Sequence, residues 1–219
     1  MKFTFHASPN LRQKQSTQQI MLELMIGLLV VFAFSLIYYN QAYSFDHMLQ
    51  AIKLLAVSLL VAFVSELDWA FFMKNGSDAT TFSVMCARAH TGKKKMMFFK
   101  GYYHGDFQWA QKIDYPGILP EEVENNIVVP WFDIDAMQAA YDACGGDVAG
   151  LIAQPYDHGN FKDNECATKE QWAKVRKFCD DHGMVLIIDD VRTGFRLDLE
   201  GSDHYYGFKA DLICFCKAL

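Results

Sequence analysis

The stretch VLIID, residues 185–189, sets the tightest constraint on what this chain can fold into. Its apolar side chains stand at both odd and even positions, so a strand formed there has no polar face to give to water. Such a strand must be covered on both sides, which is the place of an interior strand in a parallel sheet. Leu212–Cys216, LICFC, repeats the pattern, and Lys95–Phe99 and Val148–Ala153 read as further strands. Helical segments lie between them: Ala79–His90, Trp131–Cys144 stopped by Gly145 and Gly146, and Lys169–His182 closed by Gly183. Buried strands alternating with helices predict an α/β fold, a mainly parallel sheet with helical crossovers, over residues 67–219.

Residues 1–66 read differently. Between Ile20 and Tyr39 the chain runs IMLELMIGLLVVFAFSLIYY with one charge, Glu23, and about 20 such residues cross a bilayer core. A second apolar run, 48–64, holds only Lys53 and is slightly short. Two transmembrane helices, about 20–39 and 48–64, are therefore expected. Lys2, Arg12 and Lys14 precede the first run, while the connection holds Asp46 and His47. The positive-inside rule then places the N-terminus in the cytoplasm, and everything after about residue 66 on the cytoplasmic side of the inner membrane.

A formal net charge of -6 and the lack of a basic stripe argue against a nucleic-acid partner. The tract Lys93-Lys94-Lys95 reads as a solvated turn after a helix. The six cysteines form no CxxC pair and no Cys/His spacing suited to zinc, so no metal site is expected.

Four short stretches carry chemistry. In VLIIDDVRTGFR a buried strand delivers Asp189 and Asp190 to its C-terminal end, where open α/β sheets place ligands. A carboxylate there can cap the next loop, or it can hold a ligand nitrogen protonated. Lys217 follows the second buried strand, so the sheet brings an amine to the same edge. An acid and an amine so placed suit pyridoxal phosphate: the lysine forms a Schiff base, and the acid keeps the pyridine nitrogen protonated. In KNGSDATT, Gly76 lets the backbone approach an anion, and Ser77 precedes a helix whose N-terminal amides attract phosphate. The same residues also read as a plain helix start, with Ser77 or Asp78 as N-cap. In GYYHG, Tyr103 or His104 can stack on a planar ring.

The ordered set KNGSDATT, GYYHG, LIIDDVRTGFR and DLICFCKAL resembles the class III aminotransferases, most of all glutamate-1-semialdehyde aminomutase and its relatives, over about Asp68 to Leu219. The resemblance implies a fold-type I enzyme using pyridoxal 5'-phosphate, with Lys217 as the Schiff-base lysine and Asp189 as partner of the pyridine nitrogen. It further implies that Gly76 and Ser77 hold the phosphate, that Tyr103 stacks on the ring with His104 beside it, and that the substrate is small and amino-acid-like. Homodimers are a feature of such enzymes. The usual glutamate-proline pair after the middle strand is Gln154-Pro155 here, and the loop YDHGNF departs from the common pattern, so no contact is assigned there.

The opening FHASPNLRQKQSTQQIML, with the apolar run after it, resembles instead the D subunit of the Rnf ion-translocating electron-transport complex, over about 1–65. Two unrelated resemblances imply a chimera. The expectation is an aminotransferase fragment behind a membrane segment, with little or no activity in this form. A membrane-subunit fragment and a non-functional fusion product are the alternative readings.

Overall fold

A computed structural model describes Leu49, Gln50, Ile52 and Lys53, and then residues 71–112, 115–157 and 165–217. The chain divides into two compact units, Met1–Ala62 and Phe63–Leu219. The expected transmembrane helices fall almost wholly outside the described residues. Among the described residues no helix is long and apolar enough to cross a membrane.

The second unit is built on a five-stranded sheet in the order β2-β1-β3-β6-β7. Its strands are β1 (Lys95–Phe99), β2 (Asn126–Val129), β3 (Val148–Ala153), β6 (Val185–Asp189) and β7 (Leu212–Cys214). Every pairing among them is parallel. A two-stranded antiparallel pair, β4 (Tyr156–Asp157) with β5 (Glu165–Cys166), stands apart. The helices are α1 (Gly76–Thr91), α2 (Pro120–Val123), α3 (Ile134–Ala143), α4 (Lys169–His182) and α5 (Ser202–Tyr206).

Strand periodicity sorts the core into two layers. Met97, Phe99, Leu186 and Ile188 join the layer that holds Met137 of α3 and Trp172, Val175 and Phe178 of α4. Their alternating neighbours Met96, Phe98, Val185 and Ile187 join the layer that holds Val84 and Ala87 of α1. Ile187, at 0% exposure, has lost the solvent face that a half-buried strand would keep. Helix α4 is delimited as its sequence predicts. Thr168 and Gln171 form a reciprocal capping box, and Gly183 ends the helix at φ 58°, a conformation that favours glycine.

Expected boundaries shift at two helices. Helix α1 begins at Gly76 rather than Ala79, because Asn75, not Ser77 or Asp78, is the N-cap and accepts from the Asp78 amide at 2.9 Å. Helix α3 begins at Ile134 rather than Trp131, since Asp133 caps the Ala136 amide and Phe132 sits at φ 54°. Trp131 and Phe132 instead pack their rings edge-on, 5.1 Å apart. Strand β7 is two residues shorter than the apolar run that announces it.

Trp172 is fully buried, stacks on Phe208 at 4.7 Å, and donates its indole N–H to the Pro155 carbonyl at 3.2 Å. Trp172→Ala should cost about 3–5 kcal/mol, read as a lower urea midpoint; a loss below 1 kcal/mol would contradict the packing.

Candidate active site

Parallel pairing turns the C-terminal ends of all five strands to one edge. Asp189 closes β6 at that edge, beside Cys214 on β7. It shares the α1 side of the sheet with Ile187, two residues back. Asp189 is 6% exposed, and its carboxylate has two hydrogen-bond partners among the described residues. The His104 ring nitrogen Nδ1 lies 2.7 Å from Oδ2, and the Val191 amide donates to Oδ1 at 3.2 Å. Beside an ionised Asp189 the imidazole carries a proton on Nδ1. Nε2 is buried without a hydrogen bond among the described residues. His104 is itself 1% exposed and lies flat against Tyr102, ring centroids 5.6 Å apart. Its carbonyl accepts from the Thr80 hydroxyl at 2.7 Å, which fixes GYYHG to α1.

The next acid plays a different part. Asp190 accepts from the Ser202 amide at 2.9 Å and from the hydroxyls of Thr193 and Ser202. Burial raises its pKa, and those hydrogen bonds pull it back. Asp190 therefore ties the loop after β6 to α5, and Asp189 is the acid left for the cavity.

Helix α1 enters the same edge by its N-terminus. Asn75 satisfies the Asp78 amide, and the two preceding residues, Gly76 and Ser77, line the cavity. The N-terminus of this 16-residue helix carries orphan amides and the positive end of the helix dipole. Gly105 makes the close approach possible. At φ 114° its absent Cβ would lie 2.5 Å from Ser77 Oγ.

Lys217 completes the edge. Its backbone amide donates to the Val191 carbonyl at 3.2 Å, which pins the end of the β7 segment to the loop that follows Asp189. The side chain is exposed. Gly76, Ser77, Tyr103, His104, Asp189 and Lys217 all line one cavity of about 500 Å³. All six residues singled out in the sequence are thus brought together. Tyr103, half exposed, donates its phenol to Asp106 at 2.7 Å, and no ring stacks on it among the described residues.

Among the other lining residues, Thr80, Gln154, Arg192 and Cys216 had no role assigned from the sequence. Thr80 and Arg192 lie inside quoted motifs but look like ordinary helix and loop residues. Cys216 is hidden inside an apolar run. Gln154 was visible only as a departure from a pattern.

No protein-family model matches the chain. Curated relatives do. Over 157 residues the chain is 39% identical to an aminopentol aminotransferase of Sphingopyxis macrogoltabida, covering 72% of this chain and 37% of that one. It is 33% identical over 168 residues to a glutamate-1-semialdehyde 2,1-aminomutase of Caldicellulosiruptor saccharolyticus, covering 73% and 39%. Among solved structures, the FumI protein of a Sphingopyxis species with pyridoxal phosphate superposes with a TM-score of 0.67 at 38% identity, over 74% of this chain and 40% of that one. A glutamate-1-semialdehyde aminomutase from Pseudomonas aeruginosa gives 0.64 at 23% identity, which speaks to the fold alone. The chain has the fold of the class III pyridoxal-phosphate-dependent aminotransferases. It spans about two fifths of the length of the curated relatives it matches.

These aminotransferase relatives correct the location expected from the sequence. The expected inner-membrane location is overturned: the relatives are aminotransferases and aminomutases, and no helix among the described residues can span a bilayer. The Rnf resemblance and the chimera drawn from it gain no support from them.

The hydrogen bond to Asp106 is the main cause of a raised Tyr103 pKa, with lesser contributions from burial and the Asp106 and Asp189 charges. A carboxylate acceptor favours the protonated phenol, so Asp106→Asn should lower that pKa toward the ordinary 10.0. Ultraviolet titration of the phenolate reads the shift, and an unchanged or higher value would refute the assignment.

Proposed function

We propose that this chain is the cofactor-holding part of a pyridoxal-phosphate-dependent aminotransferase or aminomutase acting on a small amino-acid-like substrate. One observation carries the reading: an amine, a His-supported carboxylate and a helix N-terminus line the same cavity. Those features match the three chemical demands of the cofactor, and the cavity is of small-molecule size. When bound, pyridoxal phosphate supplies a protonated ring that acts as an electron sink for the carbanion formed at a substrate carbon.

The residues divide the work. Asp189 would face the ring nitrogen, and His104 orients that carboxylate through the 2.7 Å contact at Nδ1. The Gly76 and Ser77 amides, at the positive end of α1, would hold the phosphate. Tyr103 supplies a face for the ring. Lys217 would hold the aldehyde carbon through Nζ, and the same amine would move a proton at the substrate carbon. The similarity to both aminotransferases and aminomutases supports the reaction class and leaves both outcomes within it. A homodimer, usual for enzymes that this chain resembles, belongs to the same proposal.

Titrating the purified chain with pyridoxal phosphate, reducing with borohydride and mapping the modified peptide tests this reading. One equivalent on Lys217 is expected, and none on that peptide in Lys217→Ala. Asp189→Asn should weaken binding by about 1.5–3 kcal/mol, as for loss of a charged hydrogen-bond partner. Modification spread over surface lysines, unchanged in both variants, would sink the proposal.

A further inference from the structure

The proposed function leaves one buried polar side chain on the cavity wall unused. Gln154 follows β3 directly, and the register that pairs Ile152 with Ile187 and Ala153 with Ile188 continues to set it beside Asp189. Neighbouring strands lie about 4.8 Å apart. Strand alternation gives Gln154 and Asp189 the same face as Ile152 and Ile187, the face that α1 covers. The residue is 6% exposed and lines the cavity. No hydrogen bond to its carboxamide is formed by any described residue. Neither atom of the carboxamide is sealed from solvent, and the open side of this amide is the cavity.

We propose that Gln154 is a specificity-determining contact whose carboxamide hydrogen-bonds an oxygen of the molecule held in the cavity. The proposal rests on the function given above and deepens it. The usual residue at this place in the pattern is a glutamate, and the difference matters chemically. A carboxylate only accepts, and it would set a second negative charge one strand away from Asp189. An amide is neutral and donates as well as accepts. The wall beside Asp189 is therefore suited to an oxygen acceptor rather than to a ligand ammonium. Two sources supply such an oxygen: the ring hydroxyl of the cofactor and the carboxylate of an amino-acid substrate.

Two variants of the full chain test this, Gln154→Leu and Gln154→Glu, against two probes. One probe is pyridoxal phosphate. The other is its borohydride-reduced adduct with alanine, which adds a substrate carboxylate. Affinity is read from tryptophan fluorescence, and the ligand-free melting temperature is read separately. Gln154→Leu removes an amide that faces the cavity, so the ligand-free chain should melt close to the parent while at least one probe weakens about tenfold, the scale of one hydrogen bond. Gln154→Glu, close to isosteric, adds a negative charge beside Asp189, so it should melt no higher than the parent and weaken the same probe. Equal loss for both probes puts the oxygen on the cofactor, and loss for the adduct alone puts it on the substrate. Unchanged affinity for both probes in both variants overturns the assignment, whatever the melting temperatures. A parent chain that binds neither probe overturns this inference together with the proposed function, whereas a parent that binds as its variants do overturns this inference alone.

Discussion

The parallel pairing of β6 between β3 and β7 is the constraint on which the rest of the second unit depends. A strand made of VLIID has no face for water, so it needs a strand on each side and helices above and below. Parallel neighbours cannot be joined by tight turns, so α4 must carry the chain from the β3 side back to the start of β6. That requirement stacks the strand ends at one edge. Asp211 shows how firmly the pairing is held. Its carboxylate accepts from the Leu186 amide at 2.7 Å and from Arg176 at 2.8 Å, while its own amide donates to the Leu186 carbonyl at 3.0 Å.

The site follows from that geometry and from electrostatics. A carboxylate at 6% exposure is costly to bury alone, and His104 and the Val191 amide reduce the cost. His104 is positioned in turn by Thr80 of α1, and α1 reaches the edge only because Gly105 lets its backbone come close to Ser77. Acid, imidazole and helix terminus therefore form one linked unit. Lys217 joins it through the Val191 carbonyl, the same loop residue whose amide supports Asp189.

Much of this was legible in the sequence, for a physical reason. β1, β3, β6 and α4 occupy the predicted spans, because burial on both faces and strong caps leave few alternatives for such segments. Asp189 and Lys217 could be placed because each directly follows a buried strand. β2 was missed, since NIVV mixes a buried Asn126 with a Val128 that is 40% exposed and so shows no single pattern. The start of α1 was missed because Asn75, Ser77 and Asp78 are all competent caps, and only the three-dimensional path decides among them. Gln154 was seen only as a departure from a pattern, with no contact assigned, and extending the β3–β6 register by one residue sets it beside Asp189. The membrane reading of residues 1–66 rested on apolar runs, flanking charges and a resemblance in the opening residues, and the inner-membrane location drawn from it is overturned by the aminotransferase relatives.

The most direct measurement is an experimental structure of this chain with pyridoxal phosphate. The account predicts the ring nitrogen at hydrogen-bond distance, about 2.7–3.2 Å, from an Asp189 oxygen, with the phosphate on the Gly76 and Ser77 amides and the aldehyde carbon joined to Lys217. A cofactor seated away from Asp189, or attached to another lysine, would contradict it.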